Sequence, residues 1–170
     1  METAFGGILK DGRGGKLLFG GCSIIIKTHI RGVFRSVEPW RKSAKMEESD
    51  RMPDRLYIVV PCYQEQDALP ETARRLREKV RDLAERGIVS DDSRILFVND
   101  GSTDETWKII RALHEQDRVF CGVNLTRNRG HQNALLAGLM TAKEWADMII
   151  SMDADLQDDV GAVDEMIARY

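Results

Sequence analysis

Cysteine is scarce and scattered in this chain: Cys22, Cys62 and Cys121 lie far apart and form no Cys-x-x-Cys pair. The three histidines, His29, His114 and His131, make no His-Glu-x-x-His or similar cluster. These absences argue against a zinc site and a disulfide framework, and a reducing compartment fits best. No apolar run approaches the ~20 residues that cross a bilayer, so the chain as it stands is not expected to be an integral membrane protein. Nor does it carry the compositional bias of a disordered or fibrous chain. Its 170 residues, 42% hydrophobic and 31% charged, suffice for one ordinary globular domain with a sizeable core.

Charge is spread unevenly, and the unevenness marks a boundary. Residues 1–52 carry a net charge of +4 and residues 53–170 a net of −7. The first segment has Gly-Gly pairs at 6, 14 and 20, a short apolar stretch from Leu17 to Ile26, and a polar charged run from Arg41 to Asp50. Lys16 and Lys27 flank the apolar stretch in the manner of a signal-peptide core, but the small-residue cleavage spacing is missing after it. Residues 1–52 are therefore expected to be a poorly ordered or non-native extension, with Met46 or Met52 as a clean start for the domain that follows.

From Arg55 onward strand and helix patterns alternate. Leu56–Pro61 is a short β-branched apolar run of the kind found in strands covered on both faces. Leu69, Ala73, Leu76, Val80 and Leu83 then recur at helical spacing, and Gly87 closes that helix. Arg94–Asn99 predicts a second strand, after which Ser102 or Thr103 can cap a helix holding Trp107, Ile110 and Leu113. Val119–Leu125 predicts a third strand. Arg129–Trp145 predicts a helix in which Ala134, Ala137, Gly138 and Ala142 allow close packing on the sheet. Met148–Met152 predicts a fourth strand, and a last helix begins near Val160. Such alternation implies right-handed parallel crossovers and an α/β, doubly wound, mostly parallel Rossmann-like sheet.

In sheets of this kind ligands bind beyond the carboxyl ends of the strands. Polar signatures sit at all four ends: Pro61-Cys-Tyr-Gln-Glu65, Asn99-Asp-Gly-Ser-Thr-Asp104, Arg127-Asn-Arg-Gly-His131 and Asp153-Ala-Asp155. If the chain stays extended past Met152, Asp153, Asp155 and Gln157 share one face. Hard oxygen donors in that arrangement suit Mg2+ or Mn2+, which take few protein ligands because substrate phosphates fill the rest. An isolated Asp-x-Asp reads more readily as an acidic turn after a strand. Four signature loops at one edge favour a metal and nucleotide site instead.

Together these loops resemble glycosyltransferase family 2, the inverting GT-A enzymes, and within it the polyprenyl-phosphate glycosyltransferases related to dolichyl-phosphate mannose synthase and bactoprenol glucosyltransferases. The resemblance runs from about Leu56 to Tyr170. It rests most on Met152-Asp-Ala-Asp-Leu-Gln157 and on Arg127-Asn-Arg-Gly-His-Gln-Asn-Ala-Leu-Leu-Ala-Gly138. Two positions depart from the pattern: Gln64 stands where the family usually has Asn, and Asp158-Asp-Val160 where relatives often have a proline-containing turn.

The resemblance implies a role for each position. Pro61, Tyr63 and Glu65 would border the nucleoside, and Asp100 would accept a hydrogen bond from the base. Asp153, with Ala154 beside it, would face the ribose or the metal, while Asp155 and Gln157 would hold Mg2+ or Mn2+ on the diphosphate. Arg127 or Arg129 would meet phosphate or acceptor. Plainer readings stand beside these: Tyr63 as a packed aromatic at a strand end, Asp100 as a helix cap, the arginines as solvated loop residues, and His131 as structural or peripheral. No catalytic residue is assigned.

The activity so implied is sugar transfer from a nucleotide sugar, with UDP-glucose or UDP-N-acetylglucosamine favoured, to a polyprenyl phosphate or similar lipid. It would take place on the cytoplasmic side of the plasma membrane. No nucleic-acid partner is expected, and homo-oligomerisation stays open. By the same resemblance the chain is an amino-terminal, donor-binding fragment whose acceptor half and membrane helices lie beyond Tyr170. A nucleotidyltransferase is the alternative enzyme, although Pro61–Glu65 has neither the glycine nor the basic residue of a phosphate-gripping loop. A non-catalytic nucleotide-binding module is the other.

Overall fold

A computed structural model describes residues 52–155 and 159–170, together with the backbone of a strand at Ile25–Lys27. In chain order the elements are β1 (Ile25–Lys27), β2 (Leu56–Cys62), α1 (Leu69–Glu85), β3 (Arg94–Asn99), α2 (Thr106–Gln116), β4 (Phe120–Asn124), α3 (His131–Ala142), β5 (Met148–Ser151) and α4 (Ala162–Ala168). They build a five-stranded sheet in the order β1-β5-β2-β3-β4. Strands β2 to β5 are mutually parallel, and β1 lies antiparallel on the β5 edge, with Ile26 opposite Ile149. β1 falls inside the segment expected as an extension; the remainder of residues 1–51 lies outside the described residues.

The strands form where the sequence is continuously apolar. β2 is buried at every position except Tyr57, and β3 at every position except Arg94, because helices cover both faces of the sheet. On one face α1, α2 and α4 pack over Leu56, Ile58, Val60, Ile95 and Phe97, and the Phe97 and Phe120 rings stack with centroids 6.0 Å apart. On the other face α3 packs over Val59, Leu96, Val98 and Ile149. The small residues of α3 permit this contact: a Cβ on Gly138 would lie 2.4 Å from Val59 Cγ1 and 2.8 Å from Val98 Cγ2. α1 carries Pro70 in its first turn, and the chain leaves it through Gly87 in the left-handed conformation at φ +68°.

Three expectations change. α2 starts at Thr106 with no side-chain cap, so Ser102 and Thr103 do not cap it. Their hydroxyls accept hydrogen bonds from the Gln64 backbone N–H (3.0 Å) and the Gln64 side-chain amide (3.3 Å), stitching the first loop to the second. α3 begins at His131 rather than Arg129, because Gly130 holds φ +86° and the Arg129 and Gly130 amides donate to Asp100. β5 ends at Ser151, and Ala154-Asp155 form a turn, so the chain is not extended through the acidic motif.

Candidate functional site

Strands β2, β3 and β4 add in one direction across the sheet, and the chain then returns to place β5 on the other side of β2. Where a parallel sheet reverses in this way, the loops leaving the two central strands splay apart and leave a crevice. Pro61 helps to open it. Val59 O accepts a hydrogen bond from Met152 N at 3.0 Å, so Pro61, two residues on, also faces the β5 side. Proline has no N–H to offer there, and β2–β5 pairing stops at Val59 and Ser151.

A cavity of about 310 Å3 occupies this crevice, lined by Pro61, Cys62, Tyr63, Glu65, Asp100, Asn128, Gly130, His131, Ala134, Asp153, Ala154 and Asp155. Seven residues picked out from the sequence thus meet in one place: Pro61, Tyr63, Glu65, Asp100, Asp153, Ala154 and Asp155. Arg127 and Arg129 are exposed and stand outside the lining. Gln157 lies outside the described residues. His131, read as structural or peripheral, lines the cavity with Nε2 3.9 Å from Asp153 Oδ1. Asn128, Gly130 and Ala134 were not expected as lining. They arrive because the third loop folds back over the crevice, and the glycine at 130, just ahead of the helix and at φ +86°, was the signal for that.

Asp100 is the organising residue. It is 2% exposed, and its two oxygens accept the backbone amides of Arg129 (2.7 Å) and Gly130 (2.8 Å). Gly101 makes the close approach possible, since a Cβ there would lie 2.3 Å from the Arg127 carbonyl carbon, and its φ is +66°. Neighbouring Asn99, also buried, donates to Asn124 at 2.7 Å and accepts from the Ser102 amide at 3.3 Å. The first loop is anchored similarly: Glu65 N donates to Thr106 Oγ1 (2.9 Å) and Gln66 N to Asp104 Oδ2 (3.3 Å). Gln64 takes φ +57°, a left-handed conformation that asparagine tolerates better than glutamine. That conformation explains why an asparagine would suit this position.

The electrostatics are anionic. Burial raises the Glu65 carboxyl above its ordinary value, and the nearby carboxylates of Asp155, Asp104 and Asp153 raise it further. Burial also pushes the Cys62 thiol up, so it stays protonated and acts as lining rather than as a nucleophile. Among the described residues no group of three or more His, Cys, Asp or Glu side chains is arranged to hold a metal ion. Asp153 and Asp155 are both exposed on the cavity wall. Their all-oxygen donor set, with a further carboxylate strained by like charge, has the chemistry that a hard divalent cation relieves.

The glycosyl transferase family 2 model matches residues 57–170. An uncharacterized glycosyltransferase of Bacillus subtilis, YkoT, is 46% identical over 115 residues, which are 68% of this chain and 34% of that protein. A prophage bactoprenol glucosyl transferase homolog of Escherichia coli is 35% identical over 116 residues, again 68% of this chain and 35% of the relative. An undecaprenyl-phosphate 4-deoxy-4-formamido-L-arabinose transferase of Enterobacter is 34% identical over 113 residues, 66% of this chain and 32% of its own. The chain therefore spans about a third of the length of the curated relatives it matches. Among solved structures, S. aureus TarS 1–349 superposes with a TM-score of 0.51 at 18% identity, over 67% of this chain and 31% of TarS, a likeness of fold. The chain belongs to glycosyl transferase family 2.

Proposed function

We propose that this chain is the donor-binding part of an inverting glycosyltransferase that moves a sugar from a nucleotide sugar, a UDP-sugar by preference, to a polyprenyl phosphate. The observation that carries this reading is the convergence of the β2 loop, the β3–β4 loop layer and the Asp-Ala-Asp turn of β5 on one crevice at the switch point. The relatives named for bactoprenol and undecaprenyl phosphate support the acceptor class.

In the proposed arrangement Tyr63 and Pro61 flank the nucleoside, Glu65 borders it, and Asp100 holds the third loop closed beside the base. Asp153 meets the ribose and Asp155 the diphosphate, with Arg127 and Arg129 near enough in sequence to reach phosphate or acceptor. Asp155, Asp153 and Gln157 would hold Mg2+ or Mn2+, which supplies positive charge against the charge that builds on the departing diphosphate. The acceptor phosphate oxygen attacks the anomeric carbon from the face opposite the diphosphate. The new C–O bond forms as the old one breaks, and its electron pair leaves on the nucleoside diphosphate. A phosphate oxygen is already anionic near neutral pH, so little general-base help is needed. The active site would face the cytoplasm at the plasma membrane, where nucleotide sugars and lipid phosphate meet; among the described residues no helix is long and apolar enough to cross a membrane.

Calorimetry with UDP and GDP, each with and without Mn2+, tests the donor half. Ion-dependent binding of UDP supports the reading, and ion-dependent binding of GDP would move the donor class. Binding of neither would leave the fold as a non-catalytic module and overturn the proposal.

A further inference from the structure

One buried hydroxyl outside the crevice bears directly on the acidic turn. Thr72 lies in α1, 1% exposed, and its Oγ1 donates to the carbonyl oxygen of Ala154 at 2.6 Å. The same hydroxyl stands 3.0 Å from Ala68 O in its own helix. A threonine hydroxyl has one proton to give, and Ala68 O already receives the Thr72 backbone N–H at 3.1 Å. The shorter contact, across 82 residues of chain, is the one that joins two elements.

We infer that Thr72 is a positioning residue for the donor site: its hydroxyl fixes the Ala154 carbonyl and thereby sets the direction of the Asp153 and Asp155 carboxylates. This rests on the donor-site reading above. The peptide group is planar, so holding the Ala154 oxygen fixes the plane that also contains the Asp155 nitrogen. The Ala154 methyl is held as well, 4% exposed in the apolar cluster that includes Leu69, Ala73 and Val163. With carbonyl and methyl both anchored from the α1 side, the flanking aspartates are left to project into the cavity. β5 ends at Ser151, and among the described residues its pairing with β2 does not continue into 153–155, so the tie from α1 acts on the turn itself.

Thr72→Val keeps the shape and removes the proton donor; Thr72→Ala does the same with less bulk, in case the valine disturbs packing; Thr72→Ser keeps the donor. Nuclear magnetic resonance of the chain without ligand reads the Asp155 amide, whose peptide group includes the Ala154 carbonyl. Its resonance should move and its exchange should quicken in Thr72→Val and Thr72→Ala, and return in Thr72→Ser. Titration with Mg2+ and UDP should then show about tenfold weaker binding in the first two variants and near wild-type binding in the serine variant. An unmoved Asp155 resonance, or a serine variant as impaired as valine, would overturn the inference. Wild-type chain that fails to bind Mg2+ and UDP would instead overturn the donor-site reading, with the Asp155 resonance still deciding whether Thr72 orients the turn.

Discussion

Gln64 is the one non-glycine residue at positive φ among the described residues, at +57°. Left-handed backbone costs most side chains about 1 kcal/mol or more, and asparagine less. Gln64→Asn should therefore raise stability by about 0.5–1 kcal/mol, read as a higher urea midpoint at unchanged slope. Sequence alone identified the position as unusual within the family pattern, but the backbone conformation that explains it depends on Ser102 and Thr103, which were read as helix caps. Glu65 makes a prediction of opposite character. Its carboxyl is raised in the folded state by burial and by Asp155, Asp104 and Asp153, so its ionised form is penalised by folding. That penalty is absent below the ordinary carboxylate range and grows as pH rises through and beyond it. Glu65→Gln should then be more stable than wild type near neutral pH, with the gain fading as the solution is acidified toward about pH 4, the unperturbed value; unfolding midpoints across a pH series check the sign.

At the scale of elements, the loops are held to each other more than to solvent. Asp100 bonds two amides of the 127–130 loop, and Gly101 lets the two loops touch. Replacing Asp100 with Ala removes both acceptors, leaving Arg129 N–H without its carboxylate and Gly130 N–H with only Asn128 Oδ1 at 2.9 Å, at a cost of about 1–3 kcal/mol. Amide exchange at Arg129 and Gly130 should accelerate while β3 stays protected. Gly101→Ala should also destabilise, by about 2 kcal/mol or more, since the added methyl meets backbone and φ is +66°. The strands at 94–99 and 56–62 were legible because apolar β-branched runs announce themselves, and the glycine of α3 that meets Val59 was legible as a small residue at a packing position. The true starts of α2 and α3 were not, because both are displaced by hydrogen bonds to residues about 30 or more positions away.

On the scale of the whole molecule, alternation of strand and helix was enough to place all the polar signatures at one edge of a parallel sheet. Their merger into a single cavity depends on strand order, which local pattern does not carry: β5 had to return beside β2 rather than beside β4. That return makes the switch point, brings Asp153 and Asp155 opposite Tyr63 and Glu65, and draws His131 to within 3.9 Å of Asp153. Arg127 and Arg129, picked out by motif, are exposed and outside the cavity lining.

The central claim, that this crevice receives a nucleoside diphosphate with a divalent ion, has a direct spatial test. Mn2+ broadens the amide resonances of nuclei close to it, and the chain can be titrated with Mn2+ in the presence of UDP. Broadening is expected at residues 61–65, 100–101, 128–131 and 153–155, abolished by Asp155→Ala in a chain that keeps its fold, with Phe120 and Cys121 in the edge strand β4 unaffected. Broadening centred elsewhere, or unchanged by Asp155→Ala, would contradict it.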